Sequence, residues 1–447
     1  MATFNSFQNV TEPSGGFYPQ DYVLNTLEFI TSTKSKLDLK KLVAELCYFE
    51  DVYSPTTSGY VTLTDAQGMI ELLQITGNEY INIDFGKVKG APTEMGVAKT
   101  FRVYKIANRT PTGNMNTEFY TLYFCSDELI LSQQTKITKS YKGQKISSII
   151  NSILTEKLKV PNNRIEKIEE TTGINDFIVP RAAPFEAISW LSIYARPQQF
   201  GTTGGADMLL FETKNGFNFR SLQSLYKDNV YATYKYQAKN AGDPNNTEEK
   251  IITVLDYEII KSFDMAEAIS SGVFANRLIS LDPLTRTKRV TDFDYSKYKQ
   301  NATSLNKGET SAETPNRFGK LQAQSYNSVV KMATSNANQN DVQYIKDNEG
   351  ASKDIYIENY VPNRTAQIGL ANYTVLKIII PGDSGITAGK TINFNLYGLK
   401  PTSGIRELDK FYSGKYLVSA VRHVIISPNK YQTVLEIAKD STANEYY

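Results

Sequence analysis

Few residues in this chain are equipped for chemistry. Among 447 residues there is one histidine, His423, and there are two cysteines, Cys47 and Cys125. A single imidazole removes Ser-His and Cys-His catalysis unless His423 itself serves, and the thiols and imidazole together fall short of a structural zinc set. His423 sits in the middle of a β-branched, aromatic run, where a hydrogen-bonded structural role is expected. Cys47 and Cys125 lie in apolar, strand-like stretches and are expected to be buried, reduced thiols.

Ser384-Gly385-Ile386-Thr387-Ala388-Gly389-Lys390-Thr391 comes within one residue of a phosphate-binding loop. That loop needs glycine in its first place and a helix after Lys-Thr, so that a helix N-terminus meets the anion. Here serine stands first, and Thr391–Leu396 alternates as a strand does. A tight connection between two strands is expected instead. Two carboxylate pairs, Glu50/Asp51 and Glu169/Glu170, have the residue types for acid–base work on a glycosidic bond. Neighbours in a strand face opposite ways, however, and both pairs are read as solvated surface. There is no Gly-x-Ser-x-Gly elbow and no zinc-protease helix. No catalytic, cofactor-binding or metal-binding residue is therefore expected. Asn108-Arg109-Thr110 matches a glycosylation site and carries no meaning without a secretory route.

The elements that must hold these residues are mostly strands. Forty per cent of the residues are apolar and 21% charged, as in a folded protein of two to four domains, and 29 Tyr with 21 Phe lean the chain toward sheet. A formal charge of +2, with basic and acidic residues interspersed, gives no stripe for nucleic acid or anionic lipid. The start, Met1-Ala2-Thr3-Phe4-Asn5, lacks a signal peptide's basic and apolar regions, and no apolar run approaches the ~18 residues that span a bilayer. Folding in a cytosol without a membrane anchor is expected.

Residues 1–36 read as an arm or an early strand. Leu42–Phe49 fits either period, since Leu42, Val43, Leu46 and Phe49 also make a helical stripe; Cys47, Tyr48 and Phe49 favour a strand. Tyr60–Thr64, Tyr80–Phe85, Phe101–Ile106 and Phe119–Phe124 are clearer strands, separated by turn residues. The period then changes. Ile146, Ile149, Ile150, Ile153, Leu154 and Leu158 predict a helix ended by Pro161, and a second runs from Pro184 toward Pro197. Met208–Glu212 and Phe217–Leu222 form a hairpin about Asn215-Gly216, a pair suited to a type I′ turn. Ile251–Ile260 is a strand. Residues 291–363 are polar and read as an exposed insertion, with a helix over Gly319–Met332. Tyr373–Ile380 and Thr391–Leu396 return to strand. The chain ends on a hairpin, Lys415–Ile426 and Tyr431–Ala438, with Tyr431, Thr433, Leu435 and Ile437 on one buried face. The fold class is thus mainly β with an α+β centre: a first antiparallel β-barrel or sandwich over 1–135, an α+β middle over 136–238, a second barrel of similar kind from 239–290 and 364–447, and the insertion 291–363.

The final hairpin resembles the end of the baseplate hub proteins of contractile-tailed bacteriophages, through Gly414-Lys415-Tyr416-Leu417-Val418-Ser419-Ala420-Val421-Arg422-His423 and Tyr431-Gln432-Thr433-Val434-Leu435-Glu436-Ile437-Ala438-Lys439-Asp440-Ser441. The likeness extends in order along most of the chain. Glu50-Asp51-Val52, Gly59–Asp65 and Ile75–Ile81 are similar to that family's first tube domain. Ser140–Ile146, Ala183–Leu191 and Gly216–Leu222 are similar to its middle domain, and Asn363–Gln367 with Ile378–Gly382 to its second tube domain. The resemblance implies a structural protein: a homotrimer whose two barrels per chain form a pseudo-sixfold ring. Such a ring joins tail tube proteins above to a trimeric central spike below, with baseplate wedge proteins as neighbours. DNA would pass through the lumen without specific binding, and the protein would be assembled in the host cytoplasm and carried in the virion. The alternatives from other classes are a tail-associated cell-wall hydrolase and a spike-base component of a phage-like injection machine.

Overall fold

The computed structural model describes residues 22–66, 68–70, 75–87, 96–111, 117–203, 205–236, 253–282, 286–300, 302–306, 330–334, 357–398, 407–426 and 430–442. In chain order, the first seven strands are β1 (Tyr22–Ile30), β2 (Lys36–Asp38), β3 (Val43–Asp51), β4 (Ser58–Asp65), β5 (Tyr80–Lys87), β6 (Val97–Pro111) and β7 (Glu118–Cys125). The centre holds β8 (Ile137–Gln144), β9 (Ile165–Ile168), β10 (Asn175–Ala182), β11 (Met208–Thr213), β12 (Gly216–Ser221) and β13 (Val230–Tyr236). The rest are β14 (Asp256–Lys261), β15 (Ala275–Asp282), β16 (Thr287–Asp294), β17 (Val330–Thr334), β18 (Thr374–Pro381), β19 (Thr391–Leu396), β20 (Gly414–Ile426) and β21 (Lys430–Lys439).

Thirteen of these strands make one sheet in the order β14-β18-β21-β20-β3-β4-β7-β6-β5-β1-β2, with β19 on β20 and β13 on β19. The stretch expected over Leu42–Phe49 is the strand β3, Val43–Asp51, as its aromatic and β-branched content favours. One strand joins the two ends of the chain. β20 pairs along one edge with β21; its other edge pairs first with β19, from Gly414↔Phe394 to Leu417↔Thr391, and then with β3, from Ala420↔Asp51 to Ile426↔Glu45. The change of partner falls at Ser419, where the ladder to β21 also slips. The backbone stays satisfied there: Val52 N–H donates to Ser419 O at 2.9 Å, and Ser419 Oγ donates to Glu436 Oε1 at 2.8 Å. A bulge of this kind bends a strand and lets it serve two sheets.

Alternation then divides the side chains between two cores. Ile425 and Tyr431 of the closing hairpin pack with Leu27, Phe29, Tyr48, Ile83, Phe101 and Phe124 of the first half. Leu417, Val418, Val421, Leu435 and Ile437 pack with Val52, Leu376, Ile378, Ile392 and Phe394 of the second. Within the described residues the ladders do not close either half into a full ring. The second half curls toward closure through one bridge, Lys235↔Thr253, which brings the chain just ahead of β14 back to β13.

The centre has its own core of Ile146, Ile149, Ile150, Ile153, Leu154, Ala187, Ile188 and Leu191 under the sheets β8-β10 and β11-β12-β9. The predicted helices are Ile146–Ser152, continued by a π turn to Lys157, and Pro184–Ser192, the latter ending short of Pro197. β13 corrects the sequence reading, which counted it with this centre: it pairs in parallel with β19 of the large sheet. The hairpin turn is also shifted by one residue. Thr213 pairs with Gly216, so Lys214 and Asn215 form the loop, and the positive φ, 141°, falls on Gly216. A side chain there would meet the Arg164 carbonyl oxygen at 2.3 Å, which explains the glycine.

Residues 275–334 depart further from expectation. β15, assigned from sequence to the second barrel, instead forms a separate sheet with β16 and β17, in the order β16-β15-β17. Val330–Met332, expected to be helical, lies in β17, while 319–329 fall outside the described residues. The helix Val361–Ala371 crosses the end assigned to the insertion.

Because the closing hairpin feeds both cores, truncating its buried face should be costly. Leu435→Ala, at a fully buried site, is expected to lower stability by about 2–5 kcal/mol, whereas Lys377→Ala, an exposed position paired with Glu258, should change it by under about 0.5 kcal/mol. Urea unfolding midpoints of the two variants check this.

Candidate functional site

The residues that sequence reading singled out for chemistry do not meet in one cleft. His423 is buried in β20, its ring stacked 5.9 Å from Tyr48, with Phe85 and Tyr431 against it. Its Nδ1 shares a 2.9 Å hydrogen bond with the Tyr431 hydroxyl, and burial holds the imidazole down to about 3, so it stays neutral. Cys47 and Cys125 are free and buried, and burial pushes both thiols up to about 11. Thiolate chemistry is suppressed at such sites. The Ser384–Thr391 stretch connects β18 to β19 as strand, loop and strand.

The carboxylates overturn the expectation of a solvated surface. Glu50 is 1% exposed and Glu169 7%, while their neighbours Asp51 and Glu170 face outward. Glu169 accepts hydrogen bonds from the backbone N–H of Ser221 at 2.8 Å and from its hydroxyl. Glu50 gathers three distant pieces of chain. It accepts from the Lys214 N–H at the hairpin tip (2.6 Å), from the Ala388 N–H in the β18–β19 loop (3.0 Å), and from the Tyr48 hydroxyl beside it (3.0 Å). Lys214 Nζ donates in turn to Ser384 O at 2.5 Å. One side chain on β3 thus ties the first half of the sheet, the centre and the second half together. Burial drives its carboxyl up to about 7 against the pull of those donors.

Glu212, on β11, makes the second tie. It accepts from the Thr57 N–H (3.1 Å), the Ser126 hydroxyl (2.5 Å), Lys99 Nζ (2.5 Å) and Arg164 Nη2 (2.8 Å). Arg164 Nη1 reaches Glu128 at 2.5 Å. Burial opposes the charge of Glu212, but Lys99, Ser126 and the Thr57 N–H outweigh it and hold the carboxyl below its ordinary value. Thr57, Lys99 and Ser126 belong to the first half of the sheet and Arg164 to the centre, so the network fixes one on the other. Losing one member of such a buried set strands the rest, at about 3–5 kcal/mol.

A polar cleft of about 570 Å³ opens beside this network, lined by Asn82, Asp84, Lys99, Arg164, Glu212 and Lys214 among others. Lys99 and Arg164 in its wall are engaged with Glu212, and Lys214 Nζ with the Ser384 carbonyl. No cluster of three or more His, Cys, Asp or Glu able to hold a metal occurs among the described residues. No helix among them is long and apolar enough to cross a membrane. What the arrangement does chemically is hold three parts of one chain in fixed register. Sequence reading missed it because the partners of Glu50 lie 164 and 338 residues away.

Glu50 binds a proton more tightly folded, at about 7, than its ordinary value of 4.5. Its protonation therefore stabilises the fold fully below about pH 4.5, and that contribution is lost as pH rises through 7. Wild type should lose on the order of 2–3 kcal/mol more than Glu50→Gln between pH 4.5 and 8. Paired urea titrations at pH 5 and pH 8 check the sign.

No protein-family model matches the chain. It is 23% identical over 446 residues to "Probable baseplate hub protein gp334" of Vibrio phage KVP40, covering 97% of this chain and 96% of that protein. A tail protein from Neisseria meningitidis MC58 superposes with a TM-score of 0.52 at 10% identity, over 94% of this chain and 97% of that one. The 43 kDa tail protein of prophage MuSo2 from Shewanella oneidensis gives 0.51 at 8% identity, over 93% and 99%. At such identities the two solved proteins show a shared fold. With that fold, and with a hub-protein relative matched nearly end to end, the chain is similar to the baseplate hub proteins of bacteriophage tails.

Proposed function

We propose that three copies of this chain form a closed ring that joins the hexameric tube of a contractile tail to a trimeric central spike. The observation that carries the reading is the doubled sheet. Each chain presents two strand-rich halves fused edge to edge through β20 and β3, so three chains offer six tube-type barrel units around an axis. Six units match a sixfold tube on one side while the threefold chain symmetry matches a spike on the other. In this reading the first half spans 1–135, the centre runs from 136 to the residues before β13, and the second half comes from β13, β14 and 364–447, with wedge proteins against the outside.

The β14 end of the sheet supplies a surface for such joining. Ile259 and Ile260 of β14 are both exposed, where its pairing with β18 slips, as are Leu255 and Phe263 at its ends. A strand in a folded sheet ordinarily covers at least one face, and contiguous exposed apolar groups of this kind mark protein contacts. The protein acts in this scheme by shape and register, without catalytic, metal or cofactor residues. Its carboxylates at Glu50, Glu169 and Glu212 are already committed to internal hydrogen bonds.

Multi-angle light scattering should return about three times the 50.2 kDa chain mass, at high concentration or with the spike protein present. Ile260→Asp combined with Phe263→Asp should shift the population to soluble, folded monomer by circular dichroism. A wild-type chain that stays monomeric with its spike partner would sink the proposal, and lysis of peptidoglycan in a zymogram would replace it with a hydrolase.

A further inference from the structure

A small cavity lies where four parts of the chain converge. Asp207, Gln223 and Tyr226 enter from the centre, Tyr298 from the segment after β16, Gln367 from the helix Val361–Ala371, and Asp440 from the end of β21. Its walls are unusual in what they leave unpaired. Asp207 Oδ1, both polar atoms of the Gln223 amide and the hydroxyl of Tyr226 are buried without a hydrogen-bond partner among the described residues, while Tyr298 and Gln367 interact with each other. Asp207, Gln223 and Tyr226 are 0%, 1% and 6% exposed. Four such atoms on the residues lining one space are too many to be left unpaired, because a buried polar group without a partner costs about 1–3 kcal/mol.

The local fold puts these groups there for reasons that do not satisfy them. The second oxygen of Asp207 accepts the Gln223 N–H at 3.1 Å, capping the short helix Leu222–Tyr226, and this turns the Gln223 side chain inward. Tyr226 ends that helix with its ring in the second core. The space open to the centres of water-sized spheres is about 20 Å³, and one water needs roughly 10–15 Å³ with two to four polar partners.

We infer that this cavity is a built water site, holding one or two ordered waters that bridge Tyr226, the Gln223 amide and Asp207. Donors and acceptors are both present, as water requires: the Gln223 amide NH₂ and the Tyr226 phenol donate, while the carboxyl and amide oxygens accept. A bare cation suits the site less well, since of its two carboxyls Asp440 already accepts from the Leu305 N–H and the Ser441 hydroxyl. Burial raises the Asp207 carboxyl to about 7, which further weakens its hold on a cation at neutral pH.

Two measurements test the inference on the full chain. In a crystal or cryo-EM map at water resolution, an isolated peak within hydrogen-bond distance of Tyr226 Oη and Gln223 should be present. Density continuous with a side chain from elsewhere, or no peak, overturns it. Tyr226→Phe keeps the ring and removes one partner of the water, so its thermal midpoint should fall below wild type. A midpoint that is unchanged or raised would mean the hydroxyl was unpaired, and would overturn the site. Repeating the wild-type melt in sodium, potassium and choline chloride at one ionic strength should give one midpoint; a shift confined to one alkali cation assigns the site to that ion instead of water.

Discussion

The structure depends on one strand having two partners on the same edge. β20 must run in register with β19 over its first four residues and with β3 over its last seven, while β21 follows it along the other edge. Hydrogen-bond spacing within a ladder is fixed, so the two registers can coexist only if a residue between them is released. Ser419 is that residue; its carbonyl oxygen accepts from the Val52 N–H and its hydroxyl donates to Glu436. A straight strand would force β19 and β3 to overlap. From this single irregularity follow the continuity of the large sheet, the division of the hairpin's side chains between two cores, and the relative placement of the two halves.

The two polar ties act differently from the cores. Apolar contact is non-directional and tolerates sliding, so two sheet halves and a centre packed by hydrophobic surface alone would have several nearly equivalent positions. Glu50 and Glu212 remove that freedom, because each accepts from donors on separate elements at fixed distances. Burying charge in this way gives little net stability but strongly penalises any other arrangement. The ties therefore fix geometry more than they add stability.

The strands were legible in the sequence wherever one face is buried, since alternation then survives: β4, β7 and β21 read clearly for this reason. The helix Asp127–Gln134 was not. Its inward residues are Glu128 and Ser132, so it carries no apolar stripe, and Glu128 is held by Arg164. β16 and β17 escaped because they form a small sheet of polar strands, in which alternation is weak. Glu50 was misjudged for a different cause. A carboxylate is read as exposed unless its partners are known, and here they come from a hairpin tip and a loop that only the folded chain brings close. The final hairpin resembles that of hub proteins, yet nothing in those residues announced that β20 turns from one partner to another at Ser419.

The joint also sets the order in which the chain can be completed. Until β20 arrives, β3 has an unpaired edge from Glu45 to Asp51, and the first core lacks Ile425 and Tyr431. Roughly 370 residues separate the two strands, which at about 5–20 residues per second is on the order of 20–70 s of synthesis. An open edge of this kind is a template for wrong pairing. Two features of β3 limit the hazard during that interval. Glu45, Glu50 and Asp51 place three carboxylates along a nine-residue strand, and charge on an edge discourages pairing with another copy. Glu50 then changes role as the chain closes: exposed and ionised while the edge is open, it becomes the buried acceptor that fixes Lys214 and Ala388 once β20 covers it. The residue that guards the edge before closure is therefore also the one that locks it afterwards, and a neutral replacement would weaken both functions at once.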